Sequence, residues 1–577
     1  MRKFLHPLVY AIIDPIVAAL TLTVIWIVIT GGGSYHLGSI RLSMSTVHNP
    51  LTALLIVSIL RYSVFRSVPL FNIQKLGVSR LGVLADQFST KAFGILSSIP
   101  RANANKVAIA IIATSVTLKI LNIWFHYGFF NGDDVEVHIM TLSELFNMNI
   151  PIWTLRNPVF PMTFIFPAQA AIKALGVTDP FYFVATGRIV CTLISIVSCL
   201  LVYRIATQEF KAHAAGLLAL FFFAFSRLHI DFSASEEPRT VSTCFVLLSA
   251  LLLMQNQGRT KSVVASGISL AVGASLRFSE LIFIAPAVLF LASRKQIRDS
   301  IIFLFVSIAS AGAIFALSDF LYWGTPFYSL WNIVDYTLVK GLSSRGYQPF
   351  YHYLTHLDTW TNYCFFTLFL FSFKLFKSRL VLFVVIPLII LSALPHKEAR
   401  YLIPLFPFVT ILTGGAIWRL LENSHASPRN PSAGRLTILP SILLLFLLVG
   451  SFLYEAGGFR FRRSESAVDV ARFLRQQSNV TSVAIEQPWK TGQEIYIPMS
   501  TTIEDIPPDS LFTKTGHGGT PLIESVQYIA MEQKTIERLG YEDSILRKGF
   551  MEVRFSDCTS RQGEYRLFAR KPFGEKP

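Results

Sequence analysis

Apolar residues along this chain fall into repeated blocks, each closed by basic residues or by Gly, Pro and Asn. A hydrocarbon core about 30 Å thick takes roughly 20 helical residues to cross, and the blocks run to about that length. The pattern predicts about thirteen membrane-spanning helices, at 8–30, 50–65, 107–127, 181–203, 213–230, 240–255, 262–276, 279–293, 301–318, 361–376, 380–394, 401–420 and 437–454. Past residue 455 the pattern changes. SESAVDVARFLRQQ has helical spacing, whereas VTSVAIE, VQYIAME, MEVRF and YRLFAR read as strands rich in β-branched and aromatic residues. The expected architecture is an all-α polytopic membrane protein with a small C-terminal α/β extramembrane domain. Three parts follow: 1–106, with two N-terminal spans and a basic loop; 107–454, the membrane body that carries the chemistry; and 455–577, the soluble part.

Basic residues orient the spans. Alternate loops carry Arg2 and Lys3, Arg61 through Lys106, Arg204 and Lys211, Arg259 and Lys261, Arg294 to Arg298, Lys374 to Arg379, and Arg419 to Arg435. The positive-inside rule puts these in the cytoplasm. The opposite set, 31–49, 128–180, 231–239, 319–360, 395–400 and the C-terminal part, then faces outward. The longest of these loops, 128–180 and 319–360, exceed the roughly 15 residues beyond which a loop is usually functional. The acidic residues Asp133, Asp134, Glu136, Glu144, Asp231, Glu236, Glu237, Asp319, Asp335 and Glu398 all fall on that face.

Composition narrows the class. Of 577 residues, 52% are hydrophobic and 15% charged, against about 25% charged in soluble domains. That excludes a soluble enzyme, a disordered tail and a fibrous protein, and it disfavours a β-barrel of short alternating strands. The net charge of +16 belongs to loops facing anionic lipid. The five cysteines form no CxxC pair or Cys/His cluster.

Three outer segments carry candidate chemistry. In FFNGDDVEVHIM, the carboxylates of Asp133 and Asp134 stand at a helix start, where negative charge is favoured. They are either caps or a general base that takes the proton of an attacking hydroxyl. With Glu136 they could also ligate a divalent metal, although the spacing is not diagnostic. In LPHKEARYLIP, the residues His396, Lys397, Glu398 and Arg400 crowd one short turn. It is either a solvated turn or a site for a lipid phosphate, with Arg277 and Arg239 as further cations. The aromatic run SDFLYWGTPFYSLWN, with Tyr322 and Trp323, is either an interfacial helix or a wall of a sugar cleft.

Taken together in this order, the segments resemble the dolichyl-phosphate-mannose-dependent α-mannosyltransferases of GPI-anchor and N-glycan precursor assembly. The matching residues are Asp133-Asp134, TLRNPVFP (154–161), FSASEEPRTVST (232–243), SLRF (275–278), DFLYWGTPFYSLWN (319–332) and HKEARYLIPLFP (396–407). The last is the most specific, with Tyr401 where the family carries Phe. The acidic pair is Asp-Asp, and Arg277 is followed by Phe278 and Ser279 where the family has Pro-Thr. The resemblance covers about 130–410.

It implies a GT-C fold and an inverting glycosyltransferase. Such an enzyme moves a sugar, here mannose, from a polyprenyl- or dolichyl-phosphate donor to a hydroxyl of a lipid-linked or glycan acceptor on the outer face. Asp133 and then Asp134 would be the base. His396, Lys397, Arg400, Arg277 and Arg239 would hold the donor phosphate. Glu136, Arg156, Glu398, Tyr322 and Trp323 would contact sugar or acceptor or orient the loops. The partners implied are the lipid-phosphate sugar, the acceptor and membrane lipid, with no nucleic acid. The additional N-terminal spans and the soluble part point to a prokaryotic relative in the cell membrane; the alternative is the endoplasmic reticulum membrane with the active face in the lumen. The competing function is a membrane transporter or lipid flippase, which predicts ionisable residues near mid-membrane and often inverted internal symmetry.

Overall fold

The computed structural model describes residues 34–37, 40–43, 93–98, 100–125, 127–129, 132–147, 157–256, 258–339, 347–356, 378–426, 465–477, 479–497, 501–507, 510–512, 521–553 and 565–570, with isolated positions before residue 92. The expected spans at 50–65, 361–376 and 437–454 lie outside the described residues. So do nearly all of 8–30 and the side chain of Arg156.

The described part of the membrane body is helical. Its elements are α1 (Arg101–Phe125), α2 (Gly132–Phe146), α3 (Phe166–Ala174), α4 (Pro180–Phe210), α5 (His213–Ala224), α6 (Arg227–Ser233), α7 (Pro238–Met254), α8 (Thr260–Leu276), α9 (Ile284–Ala292), α10 (Ile297–Trp323), α11 (Tyr328–Val334), α12 (Leu382–Ala393) and α13 (Phe406–Ala426). Among the described residues, α1, α4 and α10 are long and apolar enough to cross a membrane. The pair α5 and α6, bent by 60° at the break, passes the same test as one unit. Shorter apolar helices, α7 and α8 among them, complete the bundle.

Local sequence explains the boundaries. Asp179 caps α4 by accepting from the Phe181 N–H, with Pro180 in the first turn where its missing N–H costs nothing. Ser226 caps α6 in the same way by accepting from His229. Pro238 opens α7 after Glu237, which is extended. The α10 helix stops at Gly324, whose φ of 74° suits the left-handed C-terminal position.

The described residues of 128–180 do not form an open loop. They form α2, a π-helical turn over Pro161–Ile165, and α3. In α2 every side chain from Asp133 to Ser143 is buried. A polar tie lies within the bundle: Lys119 on α1 donates to Ser195 on α4 at 2.8 Å and stands 3.0 Å from His229 on α6. A lone lysine in an apolar span needs such partners.

The C-terminal part carries helix α14 (Glu465–Gln476) and a five-stranded sheet. Its strands, numbered after the short hairpin β1–β2 (Ser34–Leu37, Ile40–Ser43), are β3 (Ser482–Glu486), β4 (Thr502–Ile506), β5 (Tyr528–Glu532), β6 (Phe550–Val553) and β7 (Tyr565–Arg570). The order is β4-β3-β5-β7-β6, with β3 parallel to both neighbours and β7 antiparallel to both of its own. Alternation along the strands gives the sheet two apolar faces. Val483, Ile485 and Leu567 pack with α14 and α2, while Ala484, Ile529 and Phe568 pack with Ile536 and Ile545 on the other side.

Helices α13 and α5 touch through backbone. A Cβ at Gly414 would sit 2.6 Å from the Ala219 nitrogen and 3.0 Å from the Ala215 carbonyl, neither of which can swing away. Gly414→Val should therefore cost about 1–3 kcal/mol of stability, read as a lowered thermal midpoint of the protein in detergent. Gly312→Ala, with nothing within 4 Å, should leave the midpoint unchanged.

Candidate active site

Two pairs of adjacent acids build the site, and each pair splits between two sides. On a helix, residues four apart share a face while neighbours diverge by about 100°. Asp133, Val137 and Met140 therefore point together and line a cavity. Its other walls include Arg277 and Leu276 from the end of α8, Phe315 on α10, and Ser329 and Leu330 on α11. Asp134 and His138 share the neighbouring face, and both are fully buried. Glu236 and Glu237 precede α7 in non-helical backbone, so consecutive side chains also diverge.

On the cavity side, Arg400 is the centre. Its Nη1 donates to Asp133 Oδ2 at 2.6 Å and reaches Glu237 Oε2 at 3.5 Å, and its Nε donates to Glu398. Arg277 Nη2 lies 3.6 Å from the same Asp133 oxygen. Glu237 is held from its other oxygen by Arg239 at 2.7 Å, and the Arg239 guanidinium lies over the Tyr401 ring at 4.6 Å. His396 stands 2.7 Å from Glu398. Burial opposes the charge on Glu398, but Arg400, the His396 hydrogen bond and Arg239 together hold its carboxyl down at about 2, so it is ionised at any physiological pH.

Behind the acidic helix, Glu236 accepts from Arg188 Nε at 3.1 Å, and His138 Nε2 stands 2.8 Å from it. Arg188 also donates to the Gly128 carbonyl at 2.8 Å, and the Gln169 amide nitrogen is 3.0 Å from His138 Nδ1. Arg188, Glu236 and His138 are all shut away from solvent. Removing one member of such a buried pair typically costs about 3–5 kcal/mol, because the other charge is left uncompensated.

The expected residues thus separate by place. Asp133, Arg400, Arg277, Arg239 and Glu398 come together, although Asp133 and Arg400 are 267 positions apart. Lys397 is turned away: its Nζ donates to the carbonyls of Gln348 at 2.9 Å and of Leu394. Tyr322 and Trp323 pack edge to face on each other at 4.8 Å, and the aromatic segment meets the cavity through Ser329, Leu330 and Ile333. Ser329 is positioned by Asp319, whose carboxylate accepts from its N–H at 2.9 Å and from its hydroxyl at 2.8 Å. Glu136 faces the C-terminal part. There, burial first, and then Asp505 and Glu136 itself, push the Glu494 carboxyl up to about 7. Arg156 falls outside the described residues.

The oxygens do not suit a divalent metal. Asp133 and Asp134 diverge, the cavity-side oxygen of Asp133 is already met by two guanidinium groups, and no group of three or more His, Cys, Asp or Glu side chains with metal-binding geometry occurs among the described residues. Sequence reasoning missed Arg188, Gln169 and the Asp319–Ser329 contact, and it gave His138 no role. Arg188 left one signal, a single charge inside an otherwise apolar span.

Known proteins match both the sequence and the fold. A GPI mannosyltransferase 3 from Yarrowia lipolytica is 23% identical over 329 residues, which span 55% of this chain and 60% of that protein. ArnT from Cupriavidus metallidurans, solved bound to undecaprenyl phosphate, superposes with a TM-score of 0.50 at 12% identity, covering 80% of this chain and 99% of that one. The oligosaccharyltransferase of Archaeoglobus fulgidus, solved tethered to an acceptor peptide, gives a TM-score of 0.50 at 12% identity, with 82% and 75% covered. At such identities the likeness is one of fold, a mostly helical fold of GT-C type. The sequence pattern of the Alg9-like mannosyltransferase family matches residues 151–497. That is more than half of the chain, and the protein belongs to this family.

Proposed function

We propose that this protein is an inverting mannosyltransferase. It takes mannose from a polyprenyl- or dolichyl-phosphate donor and delivers it to a hydroxyl of a lipid-linked or glycan acceptor. The reaction takes place at the membrane face opposite the basic loops. Family membership supports the reaction class, and a fold shared with a protein solved on undecaprenyl phosphate supports the donor class. The single observation that carries the reading is the carboxylate of Asp133 and the guanidinium of Arg277 lining one cavity.

The chemistry suits those groups. The acceptor oxygen attacks the anomeric carbon from the side opposite the phosphate, and Asp133 accepts its proton. The bond from the anomeric carbon to the phosphate oxygen breaks, the electron pair leaves with the lipid phosphate, and the anomeric centre inverts. Charge builds on that oxygen as the bond breaks, and fixed cations stabilise it without reorganisation. Arg277 is the cation on the cavity wall, and Arg400 is already shared among Asp133, Glu237 and Glu398. Arg400 therefore orients the base before substrate arrives. Asp134, on the other face of the helix, belongs to the supporting layer.

Transfer from a radiolabelled lipid-phosphate mannose by the purified protein in vesicles tests the reading. Asp133→Asn should lower kcat by about 10²–10⁴-fold, the usual contribution of a general base, and Asp134→Asn should lower it less. Equal or absent losses would remove Asp133 as the base. Arg277→Ala should raise KM for the lipid donor by about tenfold or more, the loss of one charge-assisted hydrogen bond. Lys397→Ala should leave that KM within about twofold of the parent, because loss of bonds to two carbonyls acts on loop stability. Wild-type protein that consumes no lipid-phosphate sugar but carries a solute across the bilayer would establish the transporter reading instead.

A further inference from the structure

The C-terminal part is fastened to the helix that bears the acidic pair. Val135, Ile139 and Leu142 form the third stripe of α2, at the i, i+4, i+7 spacing of one helix face. That stripe joins a single buried cluster with Val468 and Leu474 of α14 and with Ile495. The same cluster takes in Phe183 and Val184 of α4, so the bundle and the C-terminal part cover the stripe together. Without residues 465–570 the stripe would lose the C-terminal share of that cover.

One ring sits at the junction. Phe129, 1% exposed, precedes α2 and lies within 5.9 Å of the His138 ring, 6.3 Å of the Tyr496 ring and 5.3 Å of the Arg188 guanidinium, centroid to group. On the C-terminal side it presses against Gly492, which has a φ of 71°; any Cβ there would overlap the ring. Further ties surround it. Tyr127 donates to Asp469, the Arg472 guanidinium lies 5.2 Å over the Tyr127 ring, and Arg475 donates to the Thr178 carbonyl at 3.3 Å.

We propose that residues 465–570 act as a positioning element of the catalytic centre, holding α2 through the Phe129–Gly492 contact so that Asp133 faces the cavity. Phe129 and Gly492 are positioning residues: neither lines the cavity, and both act through α2. A misplacement of about 1 Å can cost about 10²-fold in rate, so a domain outside the bundle can govern kcat without touching substrate. This inference rests on the glycosyltransferase reading for its kinetic arm but not for its structural arm.

The full-length protein in vesicles provides the test. Gly492→Ala should lower kcat by about tenfold or more, leave KM for the lipid-phosphate mannose within about twofold, and speed amide hydrogen exchange across 132–146. Phe129→Leu combined with Gly492→Ala should recover much of the lost kcat and slow that exchange again. Lys548→Ala, at an exposed ion pair with Glu524 on the far surface, should change neither. Should Gly492→Ala fail to fold, Tyr127→Phe with Arg475→Ala carries the same expectation in smaller measure. Parent kcat together with parent exchange in 132–146 would overturn the proposal. So would a fall in kcat with exchange unchanged, or a loss that Phe129→Leu does not relieve. A wild-type protein with no transferase activity defeats the functional reading alone, since the exchange experiment still decides whether the C-terminal part holds α2.

Discussion

Everything around the cavity of this molecule depends on the ion pair between Asp133 and Arg400. It joins the start of α2 to the turn before α13, two places far apart in the chain, and it does so where water is excluded. A buried ion pair of this kind is weak evidence of stability, since desolvating both charges offsets most of their attraction. What it gives is position. Once Arg400 is shared among three carboxylates, the acid at the head of α2 has one direction to point, and the cavity beside Arg277 acquires a carboxylate at one wall and a cation at another.

The arrangement is economical because adjacent acids serve different layers. Asp133 and Asp134 diverge by helical geometry, and Glu236 and Glu237 diverge by their non-helical backbone. Asp133 lines the cavity and Glu237 shares its Arg400, whereas Glu236 looks back toward Arg188 and His138 and Asp134 is fully buried on the neighbouring face of α2. The back layer is fully buried and has charges of both signs. It resists rotation of α2, because any turn would draw His138 away from Glu236 and Gln169. The C-terminal sheet completes the enclosure from the third side, so the helix is clasped on every face.

Much of this was legible in the residue pattern. The blocks at 107–127, 181–203 and 301–318 correspond to α1, α4 and α10, and the strands VTSVAIE, VQYIAME, MEVRF and YRLFAR correspond to β3, β5, β6 and β7. Charge crowding marked Asp133 and Arg400, since ionisable groups at the edge of apolar blocks are costly without a role. Less was legible where a residue type could not declare its partner. Lys397 and Arg400 look alike in the turn, yet backbone carbonyls take the first and carboxylates the second. Tyr322 and Trp323 announced an aromatic wall, but α10 ends just beyond them and the chain reverses, so Ser329 and Leu330 from α11 face the cavity. In 128–180 the acidic pair marked the start of α2, but its length and α3 were not legible, because α2 is buried from Asp133 to Ser143 and so lacks a solvent-facing stripe to set its period.

The most direct measurement is an experimental density map of the full protein with a lipid-phosphate mannose bound. The account predicts the phosphate within hydrogen-bond distance of Arg277 and the anomeric carbon facing Asp133 across the same cavity, with Arg400 still on the carboxylate. A phosphate bound at the opposite membrane face, or held apart from Asp133 by packed side chains, would contradict it.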